Sequence, residues 1–151
     1  MKSQPNASAR AGKQDAAADG ESAKPNSGKT LLVVDDEPDL REFMAEVLAS
    51  KGYRVLQAGD IDEALRLAAA HSPIHLLITD FSLPDGTGVE LAPRFQSIHP
   101  EVPVLLVTGS LYQLEGRLPA IRHFSMIEKP FQFHELLNAI ESALARAGRR
   151  D

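Results

Sequence analysis

Four positions in this chain place a chemically capable residue directly behind a short hydrophobic stretch. They are Asp35-Asp36 after LLVV, Asp80 after LLIT, Thr108 after VLLV, and Lys129 after FSMIE. Two carboxylates about 4 Å apart repel by about 4 kcal/mol at an effective dielectric near 20. Three acids brought to one edge therefore need a cation between them or a shared proton. All-oxygen donors with room for water suit magnesium. Magnesium in turn suits phosphate, because it neutralises charge on transferring phosphoryl oxygens. Lys129 would add an ammonium and Thr108 a hydroxyl donor. Asp80, the acid expected on the central strand, is the candidate to carry a phosphoryl group, since carboxylate nucleophiles form aspartyl-phosphates.

For these side chains to meet, the strands ahead of them must run parallel, with their carboxyl ends on the edge where open α/β sheets bind ligands. The pattern predicts such a sheet. An apolar strand at 31–34 is followed by Pro38, whose fixed φ suits the first turn of a helix. Leu40, Phe43, Met44, Val47 and Leu48 then recur at helical spacing until Gly52. A second strand spans 53–58, and Asp60 with Glu63 makes a capping-box-like start to a helix reaching 70. Further strands are predicted at 75–79, 103–108 and 124–127, with helices at 89–97 and 131–147. Five strands alternating with helices imply a doubly wound parallel sheet with helices on both faces. Pro93 should bend the third helix or delay its start. Gly116 and Pro119 predict a short or irregular fourth helix within 110–122.

Composition narrows the classes. The 151 residues are 43% hydrophobic and 25% charged, an ordinary balance for one domain. The absence of cysteine excludes disulfides, zinc-thiolate sites and thiol nucleophiles. No apolar run is long enough to span a membrane, and the N-terminus lacks the apolar core of a secretory signal, so a cytoplasmic protein without membrane contact is expected. Residues 1–30 carry five Lys/Arg against three acids, a net +2 in a chain of net −5, so the remainder carries −7. An acidic globule argues against nucleic-acid binding. Between Lys2 and Thr30 there is no large apolar residue, so residues 1–30 are expected to be a disordered extension.

The stretches VVDDEP, TDFSLPDGTG, VTG and EKPF occur in order and at suitable separations. Over residues 31–147 the chain thereby resembles a response-regulator receiver domain of two-component signalling, similar to the stand-alone chemotaxis-regulator type. The resemblance implies a flavodoxin-like fold. It also implies transfer of a phosphoryl group to Asp80 from a histidine kinase or histidine phosphotransfer protein. Asp35, Asp36, Asp80 and the Ser82 backbone carbonyl would hold Mg2+. Lys129 would pair with the phosphoryl oxygens, Thr108 would close onto them, and the Lys129–Pro130 peptide would be cis. Such a receiver is no enzyme beyond its own phosphorylation and dephosphorylation. With 148–151 only a short tail, it would signal through contacts with an unidentified downstream protein. One position departs from the family pattern: Met126 stands where a rotating Tyr or Phe is usual. Phe124 lies on the same strand face but at a different height. The switch is therefore expected to rest on Thr108, Pro130 and the segment after Thr108.

Taken singly, each residue has a plainer use. Asp35 and Asp36 could favour the next helix through its dipole, Lys129 could be a solvated lysine, and Thr108 and the glycines could be turn formers. Their recurrence at successive strand ends is what separates the two interpretations. A magnesium-dependent phosphatase with an aspartyl nucleophile would need an acid two residues after Asp80, where Ser82 stands. A dinucleotide-binding fold would need a glycine-rich first turn, and VVDDEP would repel pyrophosphate. A receiver module of a hybrid histidine kinase, with residues 1–30 as linker, is the alternative within the family. His71, His75, His99, His123 and His134 lack ligand spacing and read as surface or core residues. Leu136, Leu137, Ile140 and Leu144 read as a core stripe.

Overall fold

Within the computed structural model, residues 28–110, 114 and 124–148 are described. The expected disorder of the N-terminal extension thus falls, up to residue 27, outside the described residues. So do nearly all of the expected irregular helix in 110–122 and the tail beyond 148. The elements in chain order are β1 (Thr30–Val34), α1 (Pro38–Ser50), β2 (Arg54–Ala58), α2 (Ile61–Ala70), β3 (Leu76–Asp80), β4 (Ser82–Leu83), β5 (Gly86–Thr87), α3 (Gly88–Ile98), β6 (Val104–Thr108), β7 (Ser125–Glu128) and α4 (Phe133–Gly148).

Five strands form one sheet in the order β2-β1-β3-β6-β7, and every neighbouring pair is parallel. Alternation along each strand divides the core between two faces. Leu32, Val34 and Leu77 pack with Ile61, Ala64, Leu91 and Phe95, on the side of α2 and α3. Leu31, Val33, Ile78 and Leu105 pack with Met44, Leu48, Leu136 and Ile140, on the side of α1 and α4. Because both faces are covered, β1 and β6 are buried along their whole length, and their sequences read as continuous apolar runs. This is the flavodoxin-like arrangement expected from the sequence. Strand order reverses between β1 and β3, so Asp35 and Asp80 come to the crevice where such sheets bind ligands.

Three local features correct the sequence reading. The third helix does not start late: it begins at Gly88 and continues through Pro93 to Ile98. Its start is held by a reciprocal pair, in which the Glu90 amide donates to Thr87 Oγ1 and the Thr87 amide to Glu90 Oε1, each at 3.1 Å. Pro93 removes only the donor that would face the Val89 carbonyl. At α2 the box is incomplete. Asp60 accepts from the Glu63 amide at 2.8 Å, whereas Glu63 reaches back to the Gly59 amide rather than to Asp60. A two-stranded hairpin, β4 with β5, occupies the LPDG turn. Gly88 lets α3 close onto β3, because a Cβ there would lie 2.5 Å from the Asp80 carbonyl oxygen.

Candidate functional site

The carboxyl ends of β1, β3, β6 and β7 converge on the residues singled out above. Asp35 follows β1 and is only 3% exposed. Its amide donates to the Ala58 carbonyl at 3.0 Å and its Oδ1 accepts from the Glu37 amide at 2.9 Å. Arg41 steadies the same corner, donating from Nη1 to the Asp35 carbonyl at 2.8 Å. Asp80 is the last residue of β3, where the sequence had suggested a strand ending one residue earlier. The amide of Lys129 donates to the Thr108 carbonyl at 2.8 Å, which ties the end of β7 to the end of β6.

One carboxylate oxygen each from Asp35, Asp36 and Asp80 lie within 4.8 Å of one another. Lys129 Nζ sits 3.5 Å from Asp35 Oδ2, 3.6 Å from Asp80 Oδ1 and 3.6 Å from Glu37 Oε1. One ammonium is thus shared by three carboxylates, at distances longer than a direct hydrogen bond. Burial alone would push the Lys129 pKa down, but Asp35, Asp80 and Glu37 outweigh it and hold it above the ordinary value. Asp80 is pushed up to about 6, chiefly by burial. Lys129 pulls it the other way, and Asp35 and Asp36 add to the rise. Beside Asp80 opens a cavity of about 480 Å³ lined by Asp36, Glu37, Ser82, Pro84 and Lys129.

Such a set of donors suits a hard divalent cation, which takes oxygen ligands and retains waters. A cation here would relieve the repulsion that Lys129 alone offsets only in part. Thr108 is buried, and its hydroxyl is engaged locally: Oγ1 donates to the Ser110 carbonyl at 2.9 Å and accepts from the Ser110 amide at 3.2 Å. The Lys129–Pro130 peptide is cis. Met126 is 40% exposed on β7, whereas Phe124 packs against Phe81, Leu106 and Leu114.

Two contributors were not singled out from the sequence. Glu37 is the third acid of the DDE run, and its position in the β1–α1 turn was the available signal. Arg41 carried none, because its contact depends on how α1 folds back over β1. His75 and His99 lie apart from the site and serve the scaffold. His75 Nδ1 accepts from the Thr30 amide at 2.9 Å, and His99 Nε2 lies 2.8 Å from the Ala68 carbonyl. Among the described residues no helix is long and apolar enough to cross a membrane.

Comparison with known proteins bears on the family and the fold. The family model of the response regulator receiver domain matches residues 31–141. The response regulator receiver protein CpdR of Brucella abortus is 32% identical over 120 residues, which span 79% of this chain and 99% of that protein. The nitrogen assimilation regulatory protein NtrX of Azorhizobium caulinodans is 37% identical over 118 residues, which span 76% of this chain but only 26% of that protein. Among solved structures, the receiver domain of the hybrid histidine kinase CckA matches with a TM-score of 0.65 and 28% identity, over 76% of this chain and 98% of that one.

Proposed function

The chain belongs to the response-regulator receiver family, and on that premise we propose that it accepts a phosphoryl group on Asp80 from a histidine kinase or histidine phosphotransfer protein in the cytoplasm. The observation that carries this reading is the placement of Asp80. It ends the central strand with oxygens of Asp35 and Asp36 within 4.8 Å and the Lys129 ammonium at 3.6 Å. In the proposed step a carboxylate oxygen of Asp80 attacks the phosphorus of a phosphohistidine. A P–O bond forms, the P–N bond breaks, and the imidazole departs. Asp35, Asp36, Asp80 and the Ser82 carbonyl would hold Mg2+, which when bound supplies positive charge to the phosphoryl oxygens.

The chain's own groups then rearrange around the new charge. Lys129 can turn from Glu37, whose side chain is 66% exposed and readily solvated, to pair with a phosphoryl oxygen. Thr108 can donate to another only by releasing the Ser110 carbonyl. The switch therefore runs through Thr108, Ser110 and the segment that follows. Met126 offers no ring to rotate, and Pro130 fixes the far side of Lys129. Near-complete coverage of CpdR supports a receiver that signals through its own surface to a protein target. The likeness to the CckA domain supports the second reading, a receiver module of a hybrid histidine kinase. Labelling with acetyl phosphate and Mg2+, read by intact mass, tests the central step. The natural chain should gain one phosphoryl group and Asp80→Asn none; full labelling of that variant would remove Asp80 as acceptor.

A further inference from the structure

We infer that Asp85 is a positioning residue for the cation site, locking the hairpin that carries the Ser82 carbonyl onto the N-terminus of α2. The inference rests on the proposed reading, in which that carbonyl is a ligand. A main-chain ligand has no side chain of its own to steer it, so its place depends on whatever holds the loop. The hairpin cannot hold itself. Its ladder is two pairs long, Ser82 with Thr87 and Leu83 with Gly86, far short of a self-supporting sheet.

Anchors exist on each side. At the base, the Phe81 amide donates to the Val107 carbonyl at 2.7 Å and the Gly88 amide to the Phe81 carbonyl at 2.8 Å. On the outgoing leg, Thr87 caps α3. At the tip, Asp85 reaches across to α2: Oδ1 accepts from the Ile61 amide at 2.9 Å and Oδ2 from the Asp62 amide at 3.1 Å. The first amides of a helix have no partner within it. Asp60, the residue that caps α2, serves Glu63, which leaves those of Ile61 and Asp62 to Asp85. A negative charge is also favoured at that end of the helix dipole, and the Ile61 amide foremost holds the Asp85 carboxyl below the usual range. The seat is tight: Gly86 has φ +152°, and a Cβ there would lie 2.7 Å from Ile61 Cδ1. Ser82 is exposed at the cavity beside Asp80, three residues ahead of this latch.

The test is Mg2+ titration by calorimetry on the full chain and on Asp85→Ala, Asp85→Asn and Asp60→Ala. Asp60→Ala removes the other cap of the same helix and leaves the hairpin contact intact, so it controls for loss of helix stability. Asp85→Ala should weaken Mg2+ binding about tenfold and Asp85→Asn, which keeps one acceptor oxygen, about threefold, while Asp60→Ala stays within about twofold. Hydrogen exchange at the Ile61 and Asp62 amides should quicken in Asp85→Ala. Should that variant fail to fold, Asp85→Asn carries the comparison. Equal weakening by Asp60→Ala and Asp85→Ala, or unchanged affinity in both Asp85 variants, would overturn the latch. If the natural chain itself bound no Mg2+, the functional reading would fall first and the latch with it.

Discussion

Replacing Asp80 by Asn should stabilise the metal-free protein at neutral pH. The side chain is only 12% exposed, and its pKa is raised from 3.8 to about 6, chiefly by burial and net of the attraction of Lys129. A raised carboxyl pKa means that the folded state binds this proton more tightly than the unfolded chain does. The resulting stabilisation is complete below 3.8, declines as pH rises through the interval, and is gone above about 6. At about 1.4 kcal/mol per pH unit, that interval amounts to about 3 kcal/mol that the ionised carboxylate costs the fold at neutral pH. Asparagine keeps the shape and removes the titration. Urea unfolding in the presence of a chelator, followed by circular dichroism from about pH 5 to about pH 8, should show the two proteins diverging as pH rises, with Asp80→Asn ahead by up to about 3 kcal/mol at the upper end. If the variant is less stable than the natural chain at the upper end, or the gap does not change across the range, the burial argument is wrong.

Two further outcomes follow from the same geometry. Because only the native state gathers the three acids, Mg2+ at about 100 times its Kd should raise the stability of the natural chain by about 2.7 kcal/mol; thermal melts should show it, and Asp80→Asn should lose most of the shift. Gly88→Ala would press a Cβ to 2.5 Å from the Asp80 carbonyl oxygen and 2.9 Å from Leu106 Cδ1, so the variant should lose about 1–3 kcal/mol in urea unfolding, and a loss under about 0.5 kcal/mol would show that α3 has room to shift.

What the sequence disclosed, and what it withheld, divides along a physical line. Strands buried on both faces read as apolar runs, so LLVV, LLI and VLLV were readable as the cores of a parallel sheet. Their carboxyl ends then had to converge, which made Asp35, Asp36, Asp80, Thr108 and Lys129 legible as one candidate site. Contacts between residues far apart in the chain left little local trace. Asp85 reads as a turn former in PDG, and its bonds to Ile61 and Asp62 exist only because the hairpin folds against α2. The start of α3 was readable in principle, since Thr87 and Glu90 have the spacing of a capping box, but Pro93 drew the prediction later. Glu37 was visible as a third acid, yet its pairing with Lys129 required knowing that the lysine, at the end of the edge strand β7, reaches across the carboxyl edge of the sheet to the β1–α1 turn.

The arrangement around Lys129 also explains why a site of this kind responds to a ligand. Asp35 and Asp80 share one ammonium with Glu37, while Asp36 adds its own repulsion from the rim. A fold tuned only for stability would not gather three carboxylates around a single lysine with a fourth beside them, because each acid beyond the first is incompletely paired. The imbalance is held in place by elements stable for other reasons: the buried runs of β1 and β3, and α3 closing over Gly88. Free energy kept as unrelieved repulsion is released when positive charge arrives, and a ligand shifts a population only by its differential affinity for the two states. On the proposed reading, phosphorylation uses that difference a second time. Lys129 is drawn off Glu37, and Thr108 must exchange the Ser110 carbonyl for a phosphoryl oxygen. The signal would thus leave the site through the backbone after β6.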